Sequence, residues 1–344
     1  MCPFNRWSFT VSGAVPSGFL ALPRVDPTLA REVQDSLEQV DELLLESVKC
    51  SDPLLTEAAS YLLAAGGKRF RAMLVLLAAH FGDPKLPDLV PAAAVVELTH
   101  VATLYHDDVM DEAELRRGRT SANQRWGNTV AILTGDYVFA QASMMLADLG
   151  TEAVRLQAET FARLVQGQVQ ETSGPQEGTD PLEHYLQVIS DKTASLIASS
   201  AEFGGIFGKV DPETTGVLTR AGEALGMAFQ LADDILDVAG EPADSGKLPG
   251  TDLREGVLTL PMFYALRSAD PADARLKSLL GRPLSEEEAE EALALLRSHP
   301  AMDEADTTLR RWADRSRAEL EALPDVPARA AFHALCDYVV ERSG

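Results

Sequence analysis

Apolar residues recur along this chain at spacings of three and four, and runs that alternate apolar with polar positions are hard to find. Such a period lays one apolar stripe along a helix. It predicts helices at 27–48, 52–65, 70–81, 88–113, 121–149, 151–172, 181–207, 212–239 and 257–268, then a C-terminal group at 285–298, 302–322 and 326–342. Pro and Gly fall between the segments, as in PKLPD, GPQEGTDP and VDPE. The connections are short and no repeat or low-complexity linker interrupts them. The expectation is an all-α fold: a large single-domain helical bundle with a central cavity over residues 26–344, behind a loosely ordered leader at 1–25.

Composition narrows the choice of partners. The chain has 344 residues, 46% of them hydrophobic, enough for a large core, and a net charge of -23. That charge argues against nucleic acid or anionic lipid as the main partner, since no surplus of Lys and Arg exists to neutralise phosphate backbones or headgroups. Any bound anion must be met locally. Cys2, Cys50 and Cys336 are too few and scattered for a disulfide framework or a zinc cluster, which points to a reducing, cytoplasmic setting. The leader has no apolar run of signal-peptide length. Elsewhere no stretch of ~18 consecutive apolar residues occurs, so no transmembrane segment is expected.

The chemistry concentrates in two acidic motifs. In ELTHVATLYHDDVMD, Asp107 and Asp111 lie four apart on a helical pattern and so share a face, with Asp108 beside them. GMAFQLADDILDVAG repeats the spacing with Asp233, Asp234 and Asp237. Clustered carboxylates suit Mg2+, a hard cation that takes one or two of them together with substrate phosphate. Two such helix ends facing each other across a bundle could hold metal between them. Cations that could meet a diphosphate come from four places. Lys68, Arg69 and Arg71 follow Gly66 and Gly67; Arg116 and Arg117 follow the first acidic motif; Lys192 precedes Thr193; Lys247 and Arg254 lie near the second motif. Any one of these clusters alone reads as a solvated face.

Taken in order, GGKRxR, DDxxD with RRG downstream, KT, FQ with DDxxD, GK and EGxxTLP resemble the class I trans-isoprenyl diphosphate synthases of the polyprenyl synthetase family, over about residues 66–261. The resemblance implies the isoprenoid-synthase bundle and a magnesium-dependent condensation of isopentenyl diphosphate with an allylic diphosphate primer. Asp107, Asp108, Asp111, Asp233, Asp234 and Asp237 would hold the metal. Arg116, Lys192 and Lys247 would complete the cage around the primer's diphosphate. Lys68, Arg71, His100 and Arg117, with Arg69 beside them, would bind isopentenyl diphosphate. Thr193 and Gln230 would sit near the reacting carbons. His106 reads as structural rather than as a general base.

Two positions depart from the family pattern: Ala72 where proline is frequent, and Val257 where lysine is, with Lys247 and Arg254 as partial substitutes. Product length falls to the residues before the first motif. Ala102 and Thr103, with Thr99 further down, put no aromatic floor there, which favours an all-trans product longer than twenty carbons, a quinone side-chain precursor. A floor supplied by Met144, Met145 or Phe139 of another helix is the opposing expectation. A homodimer is expected, with TVAILTGDYVFAQASMMLADLG as interface helix. The alternatives are a short-chain synthase, a non-catalytic partner of a heteromeric synthase, a terpene cyclase with one acidic motif, or a structural scaffold.

Overall fold

Four α-helices open in the same way: an aspartate side chain accepts backbone amides and a proline takes the first helical turn, as Asp26, Asp52, Asp180 and Asp211 do. The computed structural model describes residues 24–240 and 249–342. Its order is α1 (Pro27–Ser47), α2 (Pro53–Ala64), α3 (Phe70–Ala79), α4 (Leu89–Met110), a two-residue antiparallel pair β1 (Leu115–Arg116) and β2 (Arg119–Thr120), α5 (Ala122–Trp126), α6 (Asn128–Leu149), α7 (Thr151–Ser173) and α8 (Pro181–Ile189). A π-helical segment, Ser190–Ala194, joins α8 to α9 (Ser195–Phe207). The chain ends with α10 (Pro212–Ala239), α11 (Thr251–Glu255), α12 (Leu260–Arg267), a 3-10 turn (Pro271–Asp273), α13 (Ala274–Leu279), α14 (Glu286–Arg297), α15 (Ala301–Leu320) and α16 (Pro327–Glu341).

α4 is central. It is buried on nearly every side, from Leu89 through Val95, Val96 and Leu98 to Ala102 and Tyr105, and it packs against α1, α3, α6 and α9. α7 packs against α6, α9 and the π-helical segment, yet α4 and α7 make almost no close backbone contact with each other. These four helices therefore form a ring in which α4 and α7 stand at opposite corners. A smaller apolar cluster, with Val238, Leu253, Met262, Leu276, Leu279 and Leu296, sits under the C-terminal helices.

The expected helices are there, with local differences. The segment expected at 121–149 is broken at Gly127, whose φ of 84° ends α5 before α6 begins. Two residues expected to lie in a loose leader are ordered: Val25 is buried in the core and Arg24 pairs with Asp337. Residues 1–23 lie outside the described residues. Among the described residues α6 is long and apolar enough to cross a membrane by length and composition, although Asp136, Gln141 and Asp148 interrupt it and no run of ~18 consecutive apolar residues occurs. Its Thr134, Gly135, Val138 and Ala142 stripe is buried and faces the bundle.

Candidate active site

Asp107 and Asp108 occupy the last turn of α4, and Asp111 follows at its end with its amide bonded to the Asp107 carbonyl. Asp108 is fully buried, and Arg116 Nε donates to its Oδ1 at 2.6 Å. The other oxygen, Oδ2, is buried without a partner. Burial pushes the Asp108 carboxyl up against the opposing pull of Arg116. The same cause takes Asp107 up to about 6, with Lys192 pulling down and Asp111 pushing up. His106, on the same turn, is spent on structure: its Nε2 lies 3.2 Å from the Ile132 carbonyl and 3.3 Å from Asp136.

The RRGR stretch folds as a minimal hairpin. Arg117 and Gly118 have φ of 52° and 71°, the positive pair that a type I′ turn requires, and this explains two residues of strand in a helical protein. The turn sends Arg116 to Asp108 and Arg117 to the other side of the loop system. Arg117 Nη1 donates to the carbonyls of Leu62, at 2.6 Å, and Gly66. Burial lowers Arg117 to about 10, and Arg69, Arg71 and Arg116 push in the same direction.

His100, two turns below Asp107, is the meeting point of these cations. Burial and the fields of Arg71, Arg117, Arg116 and Arg69 hold its imidazole neutral, well below the usual histidine range. The buried Glu97 offsets part of that charge: its Oε1 accepts the Ala72 amide, and its Oε2 lies 3.8 Å from Arg69. Arg69 departs from its expected substrate role. Only 5% exposed, it donates to Asp41 at 2.6 Å and to the Leu63 carbonyl at 3.0 Å, and so braces the loop. Arg71 keeps Nε buried without a partner, and exposed Lys68 has none among the described residues.

The second motif is wired to the first. Lys192 lies in the π-helical segment, pairs with Glu171 of α7 and acts on Asp107. π-helical turns often mark functional sites. Here the backbone comes so close to α7 that a Cβ on Gly167 would lie 2.7 Å from the Lys192 nitrogen. Thr193 donates to Gln230 at 3.1 Å, and Gln230 donates to Asp234 at 3.0 Å. Burial raises Asp234 to about 6 even though Tyr185 and Gln230 hydrogen bonds oppose it. Asp233 pairs with Arg342 and feels Arg71. Asp237 accepts the amides of Thr251 and Asp252 at 3.1 and 3.2 Å, capping α11.

Not every expected residue joins. Lys247 lies outside the described residues. Arg254 is no substitute for a lysine at the exposed Val257, because its guanidinium grips Glu286 at 2.9 and 2.6 Å and the Pro249 carbonyl at 2.6 Å. The sequence reading missed Tyr185, Glu97, Arg163 and Arg342, single residues that belong to no motif. Met144 is exposed, so it is no floor for a buried chain.

Among the described residues no three His, Cys, Asp or Glu side chains converge into a ready metal cage. The chain offers a sparser donor set, one or two carboxylates at each helix end, which is what magnesium uses when phosphate and water supply the remaining ligands. An unpartnered buried oxygen on Asp108 and two carboxyls raised by burial fit a cation at these positions.

An all-helical ring with two acidic helix ends and a cluster of arginines is the architecture of diphosphate-handling helical synthases. The polyprenyl synthetase family model matches residues 52–296, and the chain belongs to that family. The nonaprenyl diphosphate synthase of Mycobacterium tuberculosis is 49% identical over 93% of this chain and 96% of its own. Among solved structures, the geranylgeranyl pyrophosphate synthase of Corynebacterium glutamicum, complexed with calcium and isoprenyl diphosphate, is 44% identical with a TM-score of 0.84, covering 93% of this chain and 98% of the other. A decaprenyl diphosphate synthase of Rhodobacter capsulatus is 37% identical with the same TM-score of 0.84, covering 92% and 99%.

Proposed function

We propose that this prenyltransferase condenses isopentenyl diphosphate with an allylic diphosphate primer to make an all-trans polyprenyl diphosphate longer than twenty carbons, with magnesium as its metal. The observation that carries this reading is that two separate cationic groups meet the first acidic motif. Lys192 acts on Asp107, while the arginines around neutral His100 reach Asp108 through Arg116. A cyclase handles one diphosphate; this chain provides for two.

Asp107, Asp108, Asp111, Asp233, Asp234 and Asp237 would hold the metal, which when bound stabilises negative charge on the departing diphosphate. Lys192, drawn off Glu171 by a phosphate, adds a mobile charge there. Arg71, Arg117 and Lys68 hold the second diphosphate, with His100 kept neutral as a hydrogen-bond partner. Thr193 donates to Gln230, and their oxygens would supply the dipoles that steady a developing allylic cation. No side-chain nucleophile is required.

The nonaprenyl and decaprenyl relatives support the long product, as does the absence of an aromatic side chain at Ala102, Thr103 and Thr99. The reading includes a cytoplasmic homodimer. Ile132, Leu133 and Met144 on α6 and Val154, Val165 and Val169 on α7 are exposed, an apolar face that a second copy would cover. Exposed Cys50, a free thiol, suits a reducing compartment. The test is a magnesium-dependent incubation with labelled isopentenyl diphosphate and, separately, ten-, fifteen- and twenty-carbon allylic primers, with products sized by chromatography. Chains beyond twenty carbons support the reading, and their absence with every primer overturns the long-chain assignment.

A further inference from the structure

One buried polar bridge has no part in diphosphate binding. Gln157 of α7 is 2% exposed and Thr99 of α4 is 0% exposed. Gln157 Nε2 donates to Thr99 Oγ1 at 2.7 Å, and Thr99 in turn donates to the Val95 carbonyl at 2.9 Å. The other end of the carboxamide, Oε1, is buried without a partner. A half-satisfied buried amide costs stability, and packing alone would have been served better by Leu or Met.

Its position supplies a reason. α4 and α7 are the opposite corners of the helix ring and make almost no backbone contact, so this long side chain crosses the ring to join them. At the upper end the same two helices stand apart around Asp107 and the Glu171–Lys192 pair. Between the two levels lie half-buried Thr103 on α4 and half-buried Phe161 on α7, the latter packed at a tilt against Phe139 with centroids 4.4 Å apart.

We propose that the Thr99–Gln157 hydrogen bond is a gate across the path of the growing prenyl chain and that Gln157 is a product-length determinant; this rests on the chain-elongation reading above. Asp107 stands eight residues beyond Thr99, about 12 Å along the helix, and an isoprene unit of four backbone bonds extends about 5 Å. The tail therefore meets the bridge at about its third unit. Further condensations must part the hydrogen bond, and the enzyme divides between releasing chains at that stage and extending them.

The experiment sizes the products of wild type, Gln157→Ala, Gln157→Leu and Thr99→Val, each with labelled isopentenyl diphosphate, magnesium and a ten-carbon primer. Gln157→Ala opens the gap, while Thr99→Val removes the hydrogen-bond partner at nearly constant shape. Both are expected to lower the ratio of products at about fifteen to twenty carbons to longer ones by about fivefold, the weight of one hydrogen bond. Gln157→Leu keeps the bulk and loses the bond; it follows Ala if the bond is the gate. Read at matched low conversion, the ratio does not depend on how much enzyme is folded, so a merely structural role would lower yield and leave the ratio unmoved. An unchanged ratio in both Gln157→Ala and Thr99→Val, with wild type elongating, overturns the gate. A ratio that moves for Ala but not for Leu or Val makes bulk the determinant and overturns it as well. A wild-type protein that extends no primer overturns the gate and the elongation reading together.

Discussion

Gly135 shows how little slack the site allows. A Cβ there would lie 2.4 Å from His106 Nε2 and 3.1 Å from the Ala102 carbonyl, so Gly135→Ala must push His106 off its contacts or spread α6 from α4. The overpacking is expected to cost about 1–3 kcal/mol, read as a lower urea midpoint at unchanged slope. An unmoved midpoint would mean that the helix pair gives way freely. Tyr185, whose hydroxyl donates to Asp234 Oδ2, offers a second case. Tyr185→Phe leaves that buried oxygen unpaired and disfavours the ionised carboxylate, so roughly three- to tenfold more magnesium is expected for half-maximal rate. An unchanged magnesium curve would remove Tyr185 from the site. Neither Tyr185 nor Arg342 was legible in the sequence. The two acidic motifs were, because a repeated spacing carried them, and Thr193 and Gln230 entered only through the family resemblance, whereas a lone aromatic or a terminal arginine has no local pattern and acquires its role only from folding.

At the level of elements, period-three and period-four spacing located nearly every long helix, because one buried stripe per helix suffices to write it into the chain. What it could not give were features set by backbone conformation at one or two residues: the break at Gly127, the hairpin at Arg117–Gly118 and the π-helical segment. The last is held from outside. Arg163 of α7 donates to Asp191 at 2.9 Å and to Glu223 at 2.9 Å, and Gln187 donates to Asp191 at 2.7 Å. Loosening that clamp should displace Lys192 without touching the arginine cluster. Arg163→Met is therefore expected to raise the KM for the allylic primer about tenfold, leave that for isopentenyl diphosphate unchanged, and be partly rescued in Arg163→Lys. Equal changes in both constants would make Arg163 a general stabiliser only.

For the molecule as a whole, the acidic ends set a pH dependence of stability. Asp107 and Asp234 both hold protons up to about 6 in the folded chain, above the ordinary carboxylate value of 3.8. The folded state then binds more protons than the unfolded one between about pH 4 and 6, so these two groups lower stability as pH rises through that window and change it no further above it. In metal-free protein, Asp234→Asn is expected to gain thermal stability over wild type as pH rises from about 4 to 6; equal melting temperatures for the two proteins across the window would refute the assignment. The RRGR hairpin has an effect at this same scale. Arg117 reaches back to the carbonyls of Leu62 and Gly66 while Arg116, one residue away, grips Asp108. The glycine loop and Asp108 share one short lever. An anion settling on the glycine loop would alter the hold of Arg116 on Asp108, and the reverse would hold by the same factor, since linkage is reciprocal. Titrating non-reactive analogues of the two diphosphates by calorimetry, each alone and then in either order, should return one coupling factor different from unity; strictly independent affinities would show that the lever transmits nothing. The order in which substrates load would then be a property of two adjacent arginines and the glycine that turns them apart.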